Sequence, residues 1–162
     1  MLTSTPTRFA RLAWVAFIVS LPVLVLGGVL SESSTFARAE GHDGKYAGTI
    51  SCAAIPWQTA GPLLTPFSMR VTEGKVEYER EVMRPEDTRT KLGVTERGAG
   101  TVSTTGEVSL TGSAGRANWS YQAVYRGRIE GDAMRLSGSQ IWHLPGRAEH
   151  ERPCTITLTR SE

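Results

Sequence analysis

The sequence predicts an all-β domain, an eight-stranded antiparallel up-and-down barrel preceded by an N-terminal signal helix. Three observations predict it. Beyond Gly44, apolar and polar residues alternate with a period of two, and no helical period lasts more than about a turn. Similar turns, Glu73-Gly74, Thr105-Gly106 and Glu130-Gly131, punctuate these runs, each followed by a new alternating stretch. Glycines also sit inside the runs (Gly48, Gly98, Gly100, Gly112, Gly127 and Gly138), where they let strands bend sharply enough to close a small barrel. A two-sheet sandwich is the alternative packing of the same strands.

The first strand is expected at 45–53, with Tyr46, Gly48, Ile50 and Cys52 on one face and Thr49 and Ser51 on the other. The second, 64–72, places Phe67, Met69 and Val71 inward. The third, 75–83, leaves the Glu73-Gly74 turn and turns Glu77, Glu79 and Glu81 to solvent. The fourth, 91–102, and the fifth, 107–113, flank the turn at Thr105-Gly106. The sixth, 119–129, alternates Trp119, Tyr121, Ala123, Tyr125 and Ile129 against Ser120, Gln122, Arg126 and Arg128. The seventh, 133–142, offers Met134, Leu136 and Trp142. The eighth, 153–160, offers Cys154, Ile156 and Leu158 against a row of threonines. One dry and one wet face per strand describe an antiparallel sheet wrapped around a core.

Residues 1–39 read as a targeting segment. Arg8 and Arg11 precede an uncharged run from Leu12 to Leu30, and Ala37-Arg38-Ala39 supplies small residues at the −3 and −1 positions of a cleavage site. Cleavage is expected after Ala39, since Pro22 and Gly27-Gly28 break the run; an uncleaved anchor through residues 12–30 is the alternative, and the chain's only expected membrane contact. Cleaved or not, the basic end stays inside and the domain is expected outside. A linker at 40–44 then leads to the barrel at 45–162. The leader accounts for the whole formal charge of +2, and the remainder, with fifteen basic and fifteen acidic residues, is neutral. A neutral domain lacks the basic footprint of a nucleic-acid binder.

Cys52 and Cys154 are the only cysteines. In an exported chain they are expected to form a disulfide. Both fall on inward positions, one late in the first strand and one early in the last, so antiparallel pairing of those strands sets them opposite each other.

Three residues break the apolar register: Arg80, Glu96 and Gln140. Parity points each inward, and a buried charge needs a partner, so Arg80 and Glu96 are expected to meet each other or water. They form either a structural polar cluster or the polar end of a ligand cavity lined by Tyr121, Tyr125 and Trp142. The aromatic residues, with Tyr46, Tyr78, Trp57 and Trp119, serve equally well to fill the core of a narrow barrel. The sequence holds no catalytic signature and no metal-ligand spacing, so neither an enzyme nor a cofactor is expected; His143, His150 and Glu149 match no zinc pattern.

Eight strands, a bond between first and last, and export together resemble the calycins: lipocalins, avidins and small periplasmic metalloprotease inhibitors. Such proteins open with Gly-x-Trp and close with a basic residue packed on that Trp. Here Tyr46 takes the aromatic place and Arg160 the basic one. The expected function is a non-enzymatic binding domain of the envelope, periplasmic or secreted, taking a small apolar ligand or an envelope protein. The alternatives are a secreted-protease inhibitor acting through residues 40–46 or a loop, and a structural module without ligand. Loops at Ala54–Leu63, Met83–Thr90 and His143–Arg152 are the expected binding surface.

Overall fold

A computed structural model describes residues 40–56, 63–84 and 87–161. The leader with Ala37 and Ala39, its candidate span at 12–30, and Trp57 lie outside the described residues.

A 3-10 turn, Glu40–His42, precedes eight strands: β1 (Gly44–Cys52), β2 (Leu63–Thr72), β3 (Lys75–Arg84), β4 (Asp87–Val102), β5 (Glu107–Arg116), β6 (Trp119–Glu130), β7 (Ala133–His143) and β8 (His150–Ser161). Each strand pairs antiparallel with the next and β8 returns to β1, so the sheet is a closed barrel and not a sandwich. Closure removes the free edges that eight short strands would otherwise expose. The tight turn between β2 and β3 puts Glu73 and Gly74 at φ 53° and 72°, the left-handed pair that a two-residue hairpin needs. Asp43 caps that turn by accepting the Glu73 amide at 2.9 Å.

Three strand boundaries, the start of β4, the end of β5 and the start of β8, differ from expectation by more than one residue. The loop expected at 83–90 is nearly all strand, because β3 runs to Arg84 and β4 begins at Asp87. Register shifts between Glu81 and Met83 and between Met83 and Arg84 absorb the broken alternation that had read as a loop. β5 extends to Arg116, and β8 starts at His150, three residues before the expected position. Pro153 sits inside β8 opposite Ser139.

The barrel has two unlike ends. At the turn end, which carries the β2–β3, β4–β5 and β6–β7 turns and both termini of the barrel, the interior is apolar: Val71, Val76, Val102, Val108, Ile129 and Met134 are all buried. Tyr46 and Arg160 close that end as register partners. The guanidinium lies 5.5 Å from the ring centroid, donates to the Tyr46 hydroxyl at 2.9 Å and donates to the Gly41 carbonyl at 2.7 Å. The other, loop end carries the remaining connections.

The wall is not uniform. β2 and β3 share only three pairs, Arg70–Glu77, Val71–Val76 and Thr72–Lys75, while every other seam runs six pairs or more. Toward the loop end side chains hold the two strands instead of backbone. Phe67 packs on Tyr78 with centroids 4.8 Å apart, and Arg80 reaches Thr65 Oγ1 at 3.4 Å. Pro66, which has no amide to donate, falls in this unladdered part of β2.

Tyr78 lies flat over glycines of the neighbouring strands. A Cβ at Gly98 would stand 2.3 Å from its ring, and one at Gly112 would stand 2.0 Å from its hydroxyl. Gly98→Ala is therefore expected to push Tyr78 off its place and destabilise the barrel by about 1–3 kcal/mol, as overpacking does. Chemical denaturation of the variant checks this; an unchanged midpoint would mean that the ring moves freely.

Candidate functional site

Alternation carries five polar side chains into the barrel, and all are buried: Thr65, Arg80, Glu96, Gln140 and Arg152. Arg80 and Glu96 meet at mid-barrel, and the other three lie between them and the loop end. Glu96 is wholly buried and is the centre of the group. Its Oε1 accepts the Tyr78 hydroxyl at 2.8 Å, and its Oε2 accepts the Tyr121 hydroxyl at 2.7 Å and Arg80 Nε at 2.6 Å. The Arg80 Nη2 to Glu96 distance of 2.5 Å makes this an ion pair as well as a hydrogen-bonded one. Longer contacts join Arg80 to Thr65 and Tyr121, both at 3.4 Å, and its guanidinium sits 5.8 Å from the Phe67 centroid. The sequence-based pairing of Arg80 with Glu96 is thus present, since β3 and β4 hold the two as direct register partners.

Gln140 donates to the Tyr125 hydroxyl at 3.1 Å. Tyr121 and Trp142 are register partners across β6 and β7, with ring centroids 4.6 Å apart, and Trp119 stacks on Trp142 at 5.4 Å. Tyr121 and Trp142 are therefore brought together, with Trp119, in one aromatic stack beside the polar cluster, while Tyr125 lies two inward positions farther along β6 and meets Gln140. The indole N–H of Trp142 is buried without a hydrogen-bond acceptor among the described residues.

Arg152 was not among the residues singled out from sequence. It is 2% exposed, opposite Gln140 in register. Its Nε donates to the Ala53 carbonyl at 2.6 Å, while the Ala53 amide donates back to Pro153 at 2.9 Å. These bonds tie the start of the β1–β2 connection to β8. Parity held the signal: position 152 precedes Cys154, Ile156 and Leu158 by even steps, so its side chain shares their inward face.

Burial and charge shift the proton equilibria here in opposite senses. Burial first, and then the negative charge of Glu96, raises the hydroxyls of Tyr78, Tyr121 and Tyr125 well above the usual 10.0. Burial works against the charge on Arg80, but Glu96 and the tyrosines outweigh it, and the guanidinium holds its proton more tightly than usual. Arg152 is lowered to about 10, by burial and then by the like charge of Arg80. For the tyrosines the unfolded chain loses its protons first, so the stability they contribute is complete below about pH 10 and is lost as the pH rises further. Arg152 acts in the opposite sense, one group against three. Absorbance at 295 nm is therefore expected to show these tyrosines ionising together with alkaline unfolding. A smooth titration near pH 10 in the folded protein would contradict it.

Hollows open on the surface among the described residues. One, of about 890 Å³, lies on the outer face over Arg97, Ala99, Ser113 and Val124. A second, of about 390 Å³, lies over the disulfide beside Ser51, Ala53, Ser137 and Pro153. A third, of about 360 Å³, lies at the loop end between Arg116, Trp119, His143 and Leu144. None of these three is lined by Tyr121, Tyr125 or Trp142. His143 pairs with Glu149 at 3.0 Å. Among the described residues no group of three or more His, Cys, Asp or Glu is placed to hold a metal ion. No helix among them is long and apolar enough to cross a membrane.

Cys52 and Cys154 form a disulfide between register partners of β1 and β8, with Cα atoms 4.0 Å apart. No family model and no curated protein matches the chain. Among solved structures, it is similar to the crystal structure of Rv2717c from M. tuberculosis, at 21% identity over 74% of this chain and 92% of that one, with a TM-score of 0.41.

Proposed function

We propose that this chain is an exported, non-enzymatic barrel that binds a small apolar ligand in the half of its interior nearest the loops. The observation that carries the reading is the segregation of polar groups. The buried polar side chains lie from mid-barrel to the loop end, among stacked Tyr and Trp rings, while the turn end is apolar and plugged. A few placed polar groups in an aromatic surround are what orients a ligand in a cavity. Entry would need side chains to rearrange between the loop-end halves of β2 and β3, which share no backbone ladder.

Both oxygens of Glu96 are occupied by Tyr78, Tyr121 and Arg80, which favours binding over acid–base catalysis. The disulfide and the leader pattern favour an oxidising compartment, periplasmic or secreted. The Tyr46–Arg160 contact supports a calycin-like type. An inhibitor acting through residues 40–46 has less support, because Gly41, His42 and Asp43 are bonded to the barrel.

Native mass spectrometry of protein purified from its own host tests the proposal. The expected spectrum has a chain beginning after Ala39 and an added small-molecule mass at one per barrel. A bare chain that also fails to retain a hydrophobic fluorophore would overturn it in favour of a module without ligand.

A further inference from the structure

The strand ends at the loop end frame the surface hollow beside Trp119, about 360 Å³ in volume and at the small end of ligand pockets. Rigid elements hold it. Arg116 and Trp119 are register partners across the β5–β6 turn, and Ser120 and His143 are partners across β6 and β7. A turn closed by the Arg147 amide, which donates to the Leu144 carbonyl at 3.1 Å, forms the remaining wall.

Its floor is aromatic. The half-buried indole of Trp119 lines the hollow, with the rings of Tyr121 and Trp142 stacked behind it at 6.2 and 5.4 Å. The space behind is thus already filled, and the indole stays at the surface. Its rim is polar and carries both signs of charge: the guanidiniums of Arg116 and Arg147, the carboxylate of Glu149, and the Ser120 hydroxyl. Arg116 is held in place by donating to the carbonyls of Leu92 and Gly93, and Glu149 by its pairing with His143 at 3.0 Å.

That mixture narrows the ligand chemistry. A simple anion would meet Glu149, and a simple cation would meet both arginines. A wholly apolar molecule would strip water from the rim and bond to none of it. A flat molecule with an apolar face and an edge of hydroxyls, each both donor and acceptor, suits floor and rim together.

We propose that the Trp119 hollow is a carbohydrate site, taking a neutral hexopyranose whose hydroxyls are equatorial. The C–H face of the ring lies on the indole, and the hydroxyls accept from the guanidiniums and donate to Glu149. The site is separate from the barrel interior and stands whether or not a ligand occupies that interior.

Cellotetraose and chitotetraose, both built from such rings, are the probes; sorbitol, an open-chain polyol with no ring face, is the control. In heteronuclear NMR spectra of the oxidised protein at pH 7, at least one tetrasaccharide is expected to shift the Trp119 indole and the surrounding amides of β6 and β7. Sorbitol at the same concentration should leave them in place. Trp119→Ala should weaken the tetrasaccharide at least about tenfold, as loss of a stacking platform does for other flat rings. Because that change also uncovers Trp142, Glu149→Gln is the second variant: its side chain is exposed, so affinity should fall a few-fold at an unchanged Tm. No shift from either tetrasaccharide, equal shifts from sorbitol, or shifts confined to other surfaces would overturn the proposal. Tighter binding of tetragalacturonate than of both neutral probes would overturn the neutral ring, and an affinity untouched by either variant would remove the hollow from the site.

Discussion

Glu96→Gln is expected to destabilise the barrel by about 3–5 kcal/mol, the usual effect of removing one member of a buried ion pair. The carboxylate is wholly buried and serves three donors at once: the hydroxyls of Tyr78 and Tyr121 and the guanidinium of Arg80. A glutamine amide preserves the shape but brings its own N–H groups to a place already filled with donors, and it leaves the Arg80 charge uncompensated in the interior. Beside it, the exposed pair of Glu79 and Arg97, bonded at 2.8 Å on the outer face of the same strands, serves as an internal control. Glu79→Gln should leave the unfolding midpoint essentially where it is, because water already screens that pair. Adding Arg80→Met to Glu96→Gln should recover much of the loss, since the charge that Glu96 offset is then gone with it. Urea unfolding of the three variants decides; equal midpoints for Glu96→Gln and Glu79→Gln would mean that water reaches the cluster.

The second large effect is expected from the disulfide. Cys52 and Cys154 are 102 residues apart in sequence, so their bond removes much of the freedom of the unfolded chain. In the chain-entropy account, replacing both by Ala lowers stability by about 4–5 kcal/mol. Small domains hold about 5–15 kcal/mol in all. The paired registers of β1 and β8 remain in the variant, so the native β spectrum should persist at low temperature while the midpoint falls sharply. Oxidised and reduced wild type unfolding at the same urea concentration would show that the unfolded chain retains enough structure to make the link redundant.

Much of this barrel is legible in the sequence because its core is written with a period of two. Tyr121, Tyr125, Leu136 and Ile156 each sit where parity puts them, and the same parity turns Arg80, Glu96 and Gln140 inward against their chemical character. The pairing of Cys52 with Cys154 follows from position along two strands that must meet when the sheet closes. Legibility fails where the local signal and the tertiary context disagree. Arg152 is the last residue of a stretch that reads as loop, between Glu151 and a proline, and only the inward row beginning at Cys154 reveals its direction. The stretch 83–90 likewise reads as a long connection, although register shifts in β3 carry the ladder as far as Arg84 and Asp87. The short β2–β3 seam has no sequence signal beyond Pro66, because backbone pairing between neighbours depends on how the whole sheet curves.

That seam has a bearing on how the cylinder breathes. A closed ring of strands must part somewhere if its interior is ever to open, and here sulfur rivets one joint while side chains alone hold the loop-end half of another. Thermal opening should therefore gather at a single place, with amides of residues 63–69 and 78–84 trading hydrogen for deuterium sooner than those along β6 and β7. The barrel in this sense has its firmest joint and its loosest on different seams.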